Sequence, residues 1–150
     1  MRLTYIDTSS IPSILLKTEK SNLAQQILET YHDLYFIISG IGISEALYVA
    51  TYEYYRQRGM IRGRYDLRKL IIKQRYPREV IDAIGSLLRD LNVEIVNDYF
   101  NYNEYLQIMQ DFKLLPNDAQ IALTCWHYGI DTILTFDEDF KRVSWLKVVP

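Results

Sequence analysis

Short apolar segments alternate with longer amphipathic segments along the chain. The short segments have the length of β-strands and cover residues 2–7, 35–39, 93–96, 130–135 and 145–149. Between them, apolar residues recur at helical spacing over residues 9–31, 46–58, 77–91, 103–112 and 116–129. Strands that are separated by helices favour a parallel sheet with helices on both faces. The pattern therefore predicts a parallel, three-layer α/β fold.

Proline and glycine mark the ends of the predicted helices. Pro12, Pro77 and Pro116 each stand where a helix begins, and Gly129 stands where the last long helix ends. Glu45 is expected in the first turn of the helix over residues 46–58, or just before it. No long linker, internal repeat or low-complexity tract divides the sequence, so we expect residues 1–150 to form one domain.

Composition narrows the class of protein. The chain has 150 residues, of which 49% are hydrophobic and 24% charged, which is typical of a globular domain with a real core and not of a disordered chain. No apolar stretch reaches the roughly 20 residues of a membrane span, and Asp7 interrupts the apolar part of the first twenty residues. We therefore expect a cytoplasmic protein with no membrane contact. Cys125 is the only cysteine, so it is expected to be a packing residue.

Charge is distributed unevenly. Residues 56–78 contain nine basic residues and one acid, a net charge of +8, which leaves eight basic and 18 acidic residues, a net charge of −10, in the other 127. Such a division of sign within one domain suggests that a polyanion-facing segment is attached to an acidic body.

Four acidic residues are candidates for one site. Asp7 ends the first strand, Glu45 follows the second, Asp137 follows the fourth, and Asp118 lies at a helix N-terminus. Ligands of an open parallel sheet bind outside the carboxyl ends of its strands, where these acids are expected to meet. Each acid alone could be a cap or a turn residue, but carboxylates that converge need a compensating cation. Mg²⁺ or Mn²⁺ is the natural choice because both take oxygen ligands and pair with phosphate.

The motifs around these acids resemble those of the PIN-domain ribonucleases, above all the VapC-type toxins of toxin-antitoxin pairs. The resemblance spans the whole chain and is carried by four motifs: Ile6-Asp7-Thr8-Ser9, Ser44-Glu45-Ala46, Pro116-Asn117-Asp118-Ala119 and Thr135-Phe136-Asp137-Glu138-Asp139. It implies a PIN-like domain with a five-stranded parallel sheet in the strand order 3-2-1-4-5. It also implies a homodimer and an antitoxin partner.

The resemblance assigns roles to particular residues. Asp7, Glu45, Asp118 and Asp137 would form a catalytic quartet that holds Mg²⁺ or Mn²⁺ for endonucleolytic cleavage of RNA, with products that carry 5′-phosphate and 3′-hydroxyl ends. Supporting positions would be Ser9, Thr135 and Asp139. No histidine is required, and His32 and His127 lie outside every motif.

The basic segment is the candidate RNA-binding surface. Its central part is a stretch of helical spacing, broken by glycine and accompanied by Tyr65 and Tyr76, with the basic residues Arg62, Arg64, Arg68, Lys69, Lys73 and Arg75. Arginine with exposed aromatic residues suits the backbone and bases of single-stranded RNA. Binding to a partner chain, or a merely solvated helix face, would also fit the pattern.

Two alternative functions remain at the level of sequence. The first is a PIN-domain protein outside toxin-antitoxin systems that processes or only binds RNA. The second is a phosphatase of the haloacid-dehalogenase type, which also begins with an aspartate after the first strand. That chemistry needs a second aspartate two positions later, where this chain has Ser9.

Overall fold

A five-stranded, entirely parallel sheet forms the centre of the protein. The computed structural model describes residues 1–7 and 26–150, and the predicted first helix therefore lies largely outside the described residues, with residues 26–30 helical. The strands are β1 (Arg2–Ile6), β2 (Leu34–Ser39), β3 (Glu94–Val96), β4 (Thr132–Leu134) and β5 (Lys147–Val149). Their order is β3-β2-β1-β4-β5, which confirms the implied topology.

Burial of the strands follows their position in the sheet. Each of the inner strands β1, β2 and β4 contains completely buried residues, such as Tyr5, Ile38 and Ile133. The outer strands β3 and β5 have no fully buried residue. β1 pairs with β2 on one side and β4 on the other, so Thr4 lies opposite both Phe36 and Thr132. This arrangement brings the carboxyl ends of β1 and β4 together, where Asp7 and Thr135 follow.

Helices complete the α/β/α layers. They are α1 (Gly40–Gln57), α2 (Arg64–Gln74), α3 (Arg78–Asp90), α4 (Tyr102–Phe112) and α5 (Pro116–Tyr128), with a short 3₁₀ helix at Glu138–Arg142. α1 packs on α3 and α5, and α4 packs on α5. None of the helices in the described ranges has both the length and the apolar composition needed to cross a bilayer.

The start of α1 corrects one expectation. The helix begins at Gly40, so Glu45 is its sixth residue and does not lie in or before the first turn. Glycine suits positions 40 and 42 within this helix because a neighbouring group approaches each of them closely. A Cβ atom at Gly42 would lie 2.5 Å from the Tyr5 hydroxyl oxygen, and one at Gly40 would lie 3.1 Å from a carboxylate oxygen of Asp98.

The basic helix α2 packs outside the main core. Its single buried residue, Leu67, joins Tyr55 and Ile61 in a small second cluster, separate from the large cluster that contains the sheet. The Tyr55 hydroxyl donates a hydrogen bond of 3.2 Å to the carbonyl of Arg75, just after α2 ends. α2 thus packs mainly against the C-terminal part of α1, where Tyr55 lies.

Candidate active site

Asp7 and Asp137 are linked through one hydroxyl group. Asp7 follows β1 directly, is only 2% exposed, and its N–H donates to the carbonyl of Leu134 at 2.9 Å. The Thr135 hydroxyl donates to Asp7 Oδ2 at 2.7 Å and accepts a bond of 3.0 Å from the N–H of Asp137. Because a hydroxyl can donate and accept at once, Thr135 positions two acidic residues from neighbouring strand ends.

The 3₁₀ helix after β4 positions a further acid. Asp137 caps this helix, and its Oδ1 accepts a bond of 2.9 Å from the N–H of Asp139. Asp139 Oδ1 in turn pairs with Arg142 Nη1 at 2.9 Å. Arg142 also donates to the carbonyls of Phe112 and Lys113, where α4 ends. Asp139 is therefore held by two contacts: its N–H donates to the carboxylate of Asp137, and its own carboxylate pairs with the guanidinium group of Arg142.

Glu45 and Asp118 reach the same cleft from two helices. Asp118 lies in the first turn of α5, which Pro116 begins, and Glu45 lies in the second turn of α1. They line a cleft of about 550 Å³ together with Ser44, Asn117 and Asp137; the remaining lining residues are Ile41, Tyr48, Val49 and Arg64. The cleft therefore combines acidic groups from α1, α5 and the β4 end with one arginine from α2.

The acids in the cleft repel one another. Partial burial first, and then the negative charges of Asp137, Glu45, Asp7 and Asp139, together raise the pKa of Asp118 to about 7. The pKa of Glu45 is also raised, first by burial and then by Asp7 and Asp137, against an opposing hydrogen bond with Asn117. Such mutual repulsion favours either a proton or a bound cation in the cleft.

The donor set fits a hard divalent cation. Asp118, Asp137 and Asp139 each offer a carboxylate oxygen, and these three atoms lie within 4.8 Å of one another. Only oxygen donors converge there among the described residues, as Mg²⁺ and Mn²⁺ prefer. Asp7 and Glu45 lie outside this close group, although their charges act on Asp118. Ser9, the other expected supporting residue, lies outside the described residues.

Three residues at the site extend the set deduced from sequence. Asn117 and Ser44 stand directly before Asp118 and Glu45 in the quoted motifs, and that adjacency was the available signal. Arg64, expected only as an RNA-binding residue, lines the acidic cleft itself. Its position depends on how α2 returns toward α1, which local spacing does not reveal.

The other basic candidates lie farther along the surface. Arg68 lines a separate groove between α1 and α2, and Lys69 Nζ lies 4.7 Å from the centre of the Tyr65 ring. Neither those two residues nor Arg62, Arg64, Lys73 and Arg75 form an ion pair within the described parts of the chain. The charges of these six basic residues are thus not neutralised by an ion pair within the described residues.

His127 and Cys125 pack against other residues and lie outside the acidic cleft. The His127 ring stacks on that of Tyr99 with their centres 3.8 Å apart. Cys125 is fully buried in the main core, and burial raises its thiol pKa far above the usual range, which confirms its packing role.

Comparison with known proteins adds independent findings. The family model of the PIN domain matches residues 4–146. The chain is 27% identical over 148 residues to Ribonuclease VapC6 of Methanocaldococcus jannaschii, covering 97% of this chain and 95% of that protein. It is 36% identical over 75 residues to Ribonuclease VapC2 of the same organism, covering 43% of this chain and 50% of that protein.

A solved structure has the same fold. It is the crystal structure of VapBC2 from Rickettsia felis bound to a DNA fragment from their promoter. A chain in it superimposes with a TM-score of 0.57 and covers 98% of this chain and 97% of its own length. The two sequences are 16% identical, so this likeness concerns the fold alone.

Proposed function

The chain belongs to the PIN domain family, and from that membership we propose that it is a divalent-metal-dependent endoribonuclease of the VapC type. The observation that carries the proposal is the acidic cleft, where partial burial and, after it, acidic charges from three other chain segments raise the pKa of Asp118 to about 7. A relative that aligns with 97% of this chain is named a ribonuclease. The haloacid-dehalogenase alternative has no support from the family match.

The proposed metal ligands are the quartet Asp7, Glu45, Asp118 and Asp137, with Asp139 as a neighbour. When bound there, Mg²⁺ or Mn²⁺ supplies an activated water for in-line attack on a phosphodiester and charge stabilisation for the leaving 3′ oxygen. The close group of oxygen atoms from Asp118, Asp137 and Asp139 supports this choice. The Thr135 hydroxyl holds Asp7 and Asp137 in place beside that group.

The chain's own residues would orient the substrate. Arg64 is the cationic side chain that lines the acidic cleft, so it is suited to contact a phosphate oxygen of the bound RNA. Asp118 carries a proton for part of the time near neutral pH and releases it when a cation binds. Products with 5′-phosphate and 3′-hydroxyl ends follow from this route.

The basic segment would bind the RNA backbone around the cleaved bond. The six basic residues of its central part (Arg62, Arg64, Arg68, Lys69, Lys73 and Arg75) make no ion pair among the described residues, which supports a role with an external anion. A solvated helix face normally mixes charges of both signs. A partner chain remains the competing occupant of this segment.

We propose that this protein acts as the toxin of a toxin-antitoxin pair. The relatives carry VapC names, and the similar solved structure is of a VapBC complex, which supports an antitoxin partner. We further propose that residues 1–150 form one domain, that the protein is a cytoplasmic homodimer, and that it contacts no membrane. An RNA-processing PIN protein outside such pairs is the alternative, and an adjacent short gene for a DNA-binding antitoxin would favour the toxin.

Incubation of purified protein with total RNA tests the proposed activity. We expect cleavage in Mg²⁺ or Mn²⁺ at defined sites, which sequencing of the new 5′ ends maps. The double variant Asp7→Asn/Asp137→Asn, purified in parallel, controls for contaminating nucleases. Equal cleavage by the double variant would contradict the proposal.

A further inference from the structure

A second groove adjoins the acidic cleft. It lies between α1 and α2, has a volume of about 280 Å³, and is bordered by Tyr48 and Thr51 on one side and by Arg64, Arg68 and Tyr76 on the other. We call it the α1–α2 groove. Tyr48 and Arg64 line both the groove and the acidic cleft, so the two spaces share a wall. A ligand that passes Arg64 can therefore occupy both.

The chemistry of this groove suits a nucleotide. Tyr48 and Tyr76 are 43% and 53% exposed, which leaves aromatic surface for stacking. Arg64 and Arg68 form no ion pair with any residue that the structure describes. Aromatic rings and unpaired arginines together match a base and its phosphate. The volume holds about nine water-sized groups, which accommodates one nucleobase.

We propose that the α1–α2 groove binds the base of the nucleotide next to the scissile phosphate. Arg64 then contacts the phosphate between the groove and the cleft, Arg68 contacts the next one, and Tyr76 stacks on the base. This inference rests on the proposed function, since it needs a phosphodiester in the acidic cleft. It makes the groove a determinant of which bond is cut.

Exposed apolar surface on α2 raises the competing possibility of a protein ligand. Three apolar residues of α2, namely Leu67, Ile71 and Ile72, also line the groove, and Ile72 is 76% exposed. An apolar side chain of a partner would cover it, whereas a base needs only the rings and the arginines. RNA is favoured because the groove adjoins, through Tyr48 and Arg64, the cleft in which the proposed function places the phosphodiester.

The test uses short RNAs that each lack one base. Total RNA cleavage first identifies a cut bond, and a set of oligonucleotides around that bond is then made with a single abasic residue at successive positions. Binding is measured to the Asp7→Asn protein, which is not expected to cut them. We expect one position beside the cut bond at which base removal weakens binding about tenfold, as loss of one stacked base does.

Substitutions in the groove connect that position to the structure. Tyr76→Ala should weaken binding of the intact RNA about tenfold and abolish the effect of the abasic residue. Arg68→Gln should instead lower the salt dependence by about 0.7 and keep the abasic effect. Tyr102→Ala is the matched control, because Tyr102 is a 64% exposed tyrosine that lies outside both the groove and the basic segment.

The outcomes separate this inference from the proposed function. Absence of metal-dependent cleavage overturns both. Cleavage with a flat abasic profile, or with a sensitive position that Tyr76→Ala leaves unchanged, overturns the groove assignment alone. If the groove variants bind RNA normally but fail to bind the product of an adjacent antitoxin gene, the groove is a protein-binding surface and the inference is wrong.

Discussion

The acidic cleft and the basic helix α2 are built in opposite ways. In the cleft, acids at the strand ends are held by short hydrogen bonds, as in the chain from Asp7 through Thr135 to Asp137. α2 buries a single residue, Leu67, and packs in a small cluster apart from the sheet. Its arginines form no ion pairs among the described residues, whereas the carboxylates lie close enough to repel one another.

This difference suggests that the acidic cleft carries out the chemistry and that α2 contributes binding. A site built on the main core keeps the reacting groups in one geometry. The surface residues of a basic helix outside that core can be substituted without disturbing the sheet. Changes in the cleft should therefore affect the rate of cleavage, and changes in α2 should affect affinity. Four variants test this separation.

Asp7→Asn should have the largest effect. Loss of a residue that only orients a metal ligand lowers activity about 10- to 100-fold, so loss of a proposed ligand should reach about 100-fold or more. The apo protein should melt at the same temperature or slightly higher, because one of several repelling charges is removed. Cleavage rate and melting temperature are measured on the same sample. An unfolded variant would make Asp7 a structural residue.

Thr135→Val should have the second largest effect. It removes the hydroxyl that connects Asp7 and Asp137, so we expect cleavage to fall about tenfold or more and stability to fall by about 1–3 kcal/mol. Thr132→Val is the control, since Thr132 is an equally buried threonine whose hydroxyl bonds only to Asp131 in the described contacts. If both variants lose cleavage equally, the position of Thr135 has no special role.

Replacement of three arginines in the basic segment should weaken RNA binding. In the Asp7→Asn background, the triple change of Arg62, Arg64 and Arg68 to glutamine should weaken RNA binding and lower its salt dependence by up to about 2, or about 0.7 for each phosphate contact. A control triple of Arg56, Arg78 and Lys141 to glutamine changes basic residues already paired with acids. Sizing of the same samples reveals whether the arginines instead hold a second protomer.

The pH dependence of stability should show the smallest effect. Because the folded-state pKa of Asp118 is raised to about 7, the folded protein binds the proton more tightly than the unfolded chain. Without metal, this stabilisation is present at low pH and is lost as the pH rises through about 7; Glu45 contributes in the same direction. Melting temperatures in chelator from about pH 5 to about pH 8 should fall with pH, and Asp118→Asn should flatten that fall.

The sequence predicted the elements of this protein better than their contacts. Apolar runs and helix-breaking residues located every strand that the structure describes, and the PIN resemblance supplied the strand order. The predicted start of α1 at residue 46 was wrong, since the helix begins at Gly40. Glycine occupies positions 40 and 42 for a tertiary reason, because Asp98 and the Tyr5 hydroxyl come close to where a Cβ atom would lie.

The candidate site shows the same limit. Strand ends and helix starts indicate which acids converge, because parallel topology brings those ends together. The contacts of Arg142 with the carbonyls of Phe112 and Lys113, and the entry of Arg64 into the cleft, depend on long-range packing. The spacing of residues along the sequence does not predict either contact.

The central proposal is that carboxylates in the cleft cleave RNA with a divalent cation. Its most direct test is the recovery of cleavage when Mg²⁺ is returned to chelator-treated protein, followed by analysis of the ends of a labelled RNA. We expect no cleavage in excess chelator, full recovery with Mg²⁺, and 5′-phosphate and 3′-hydroxyl ends. Cleavage that persists in chelator, or that leaves cyclic 2′,3′-phosphate ends, would contradict a metal-dependent site.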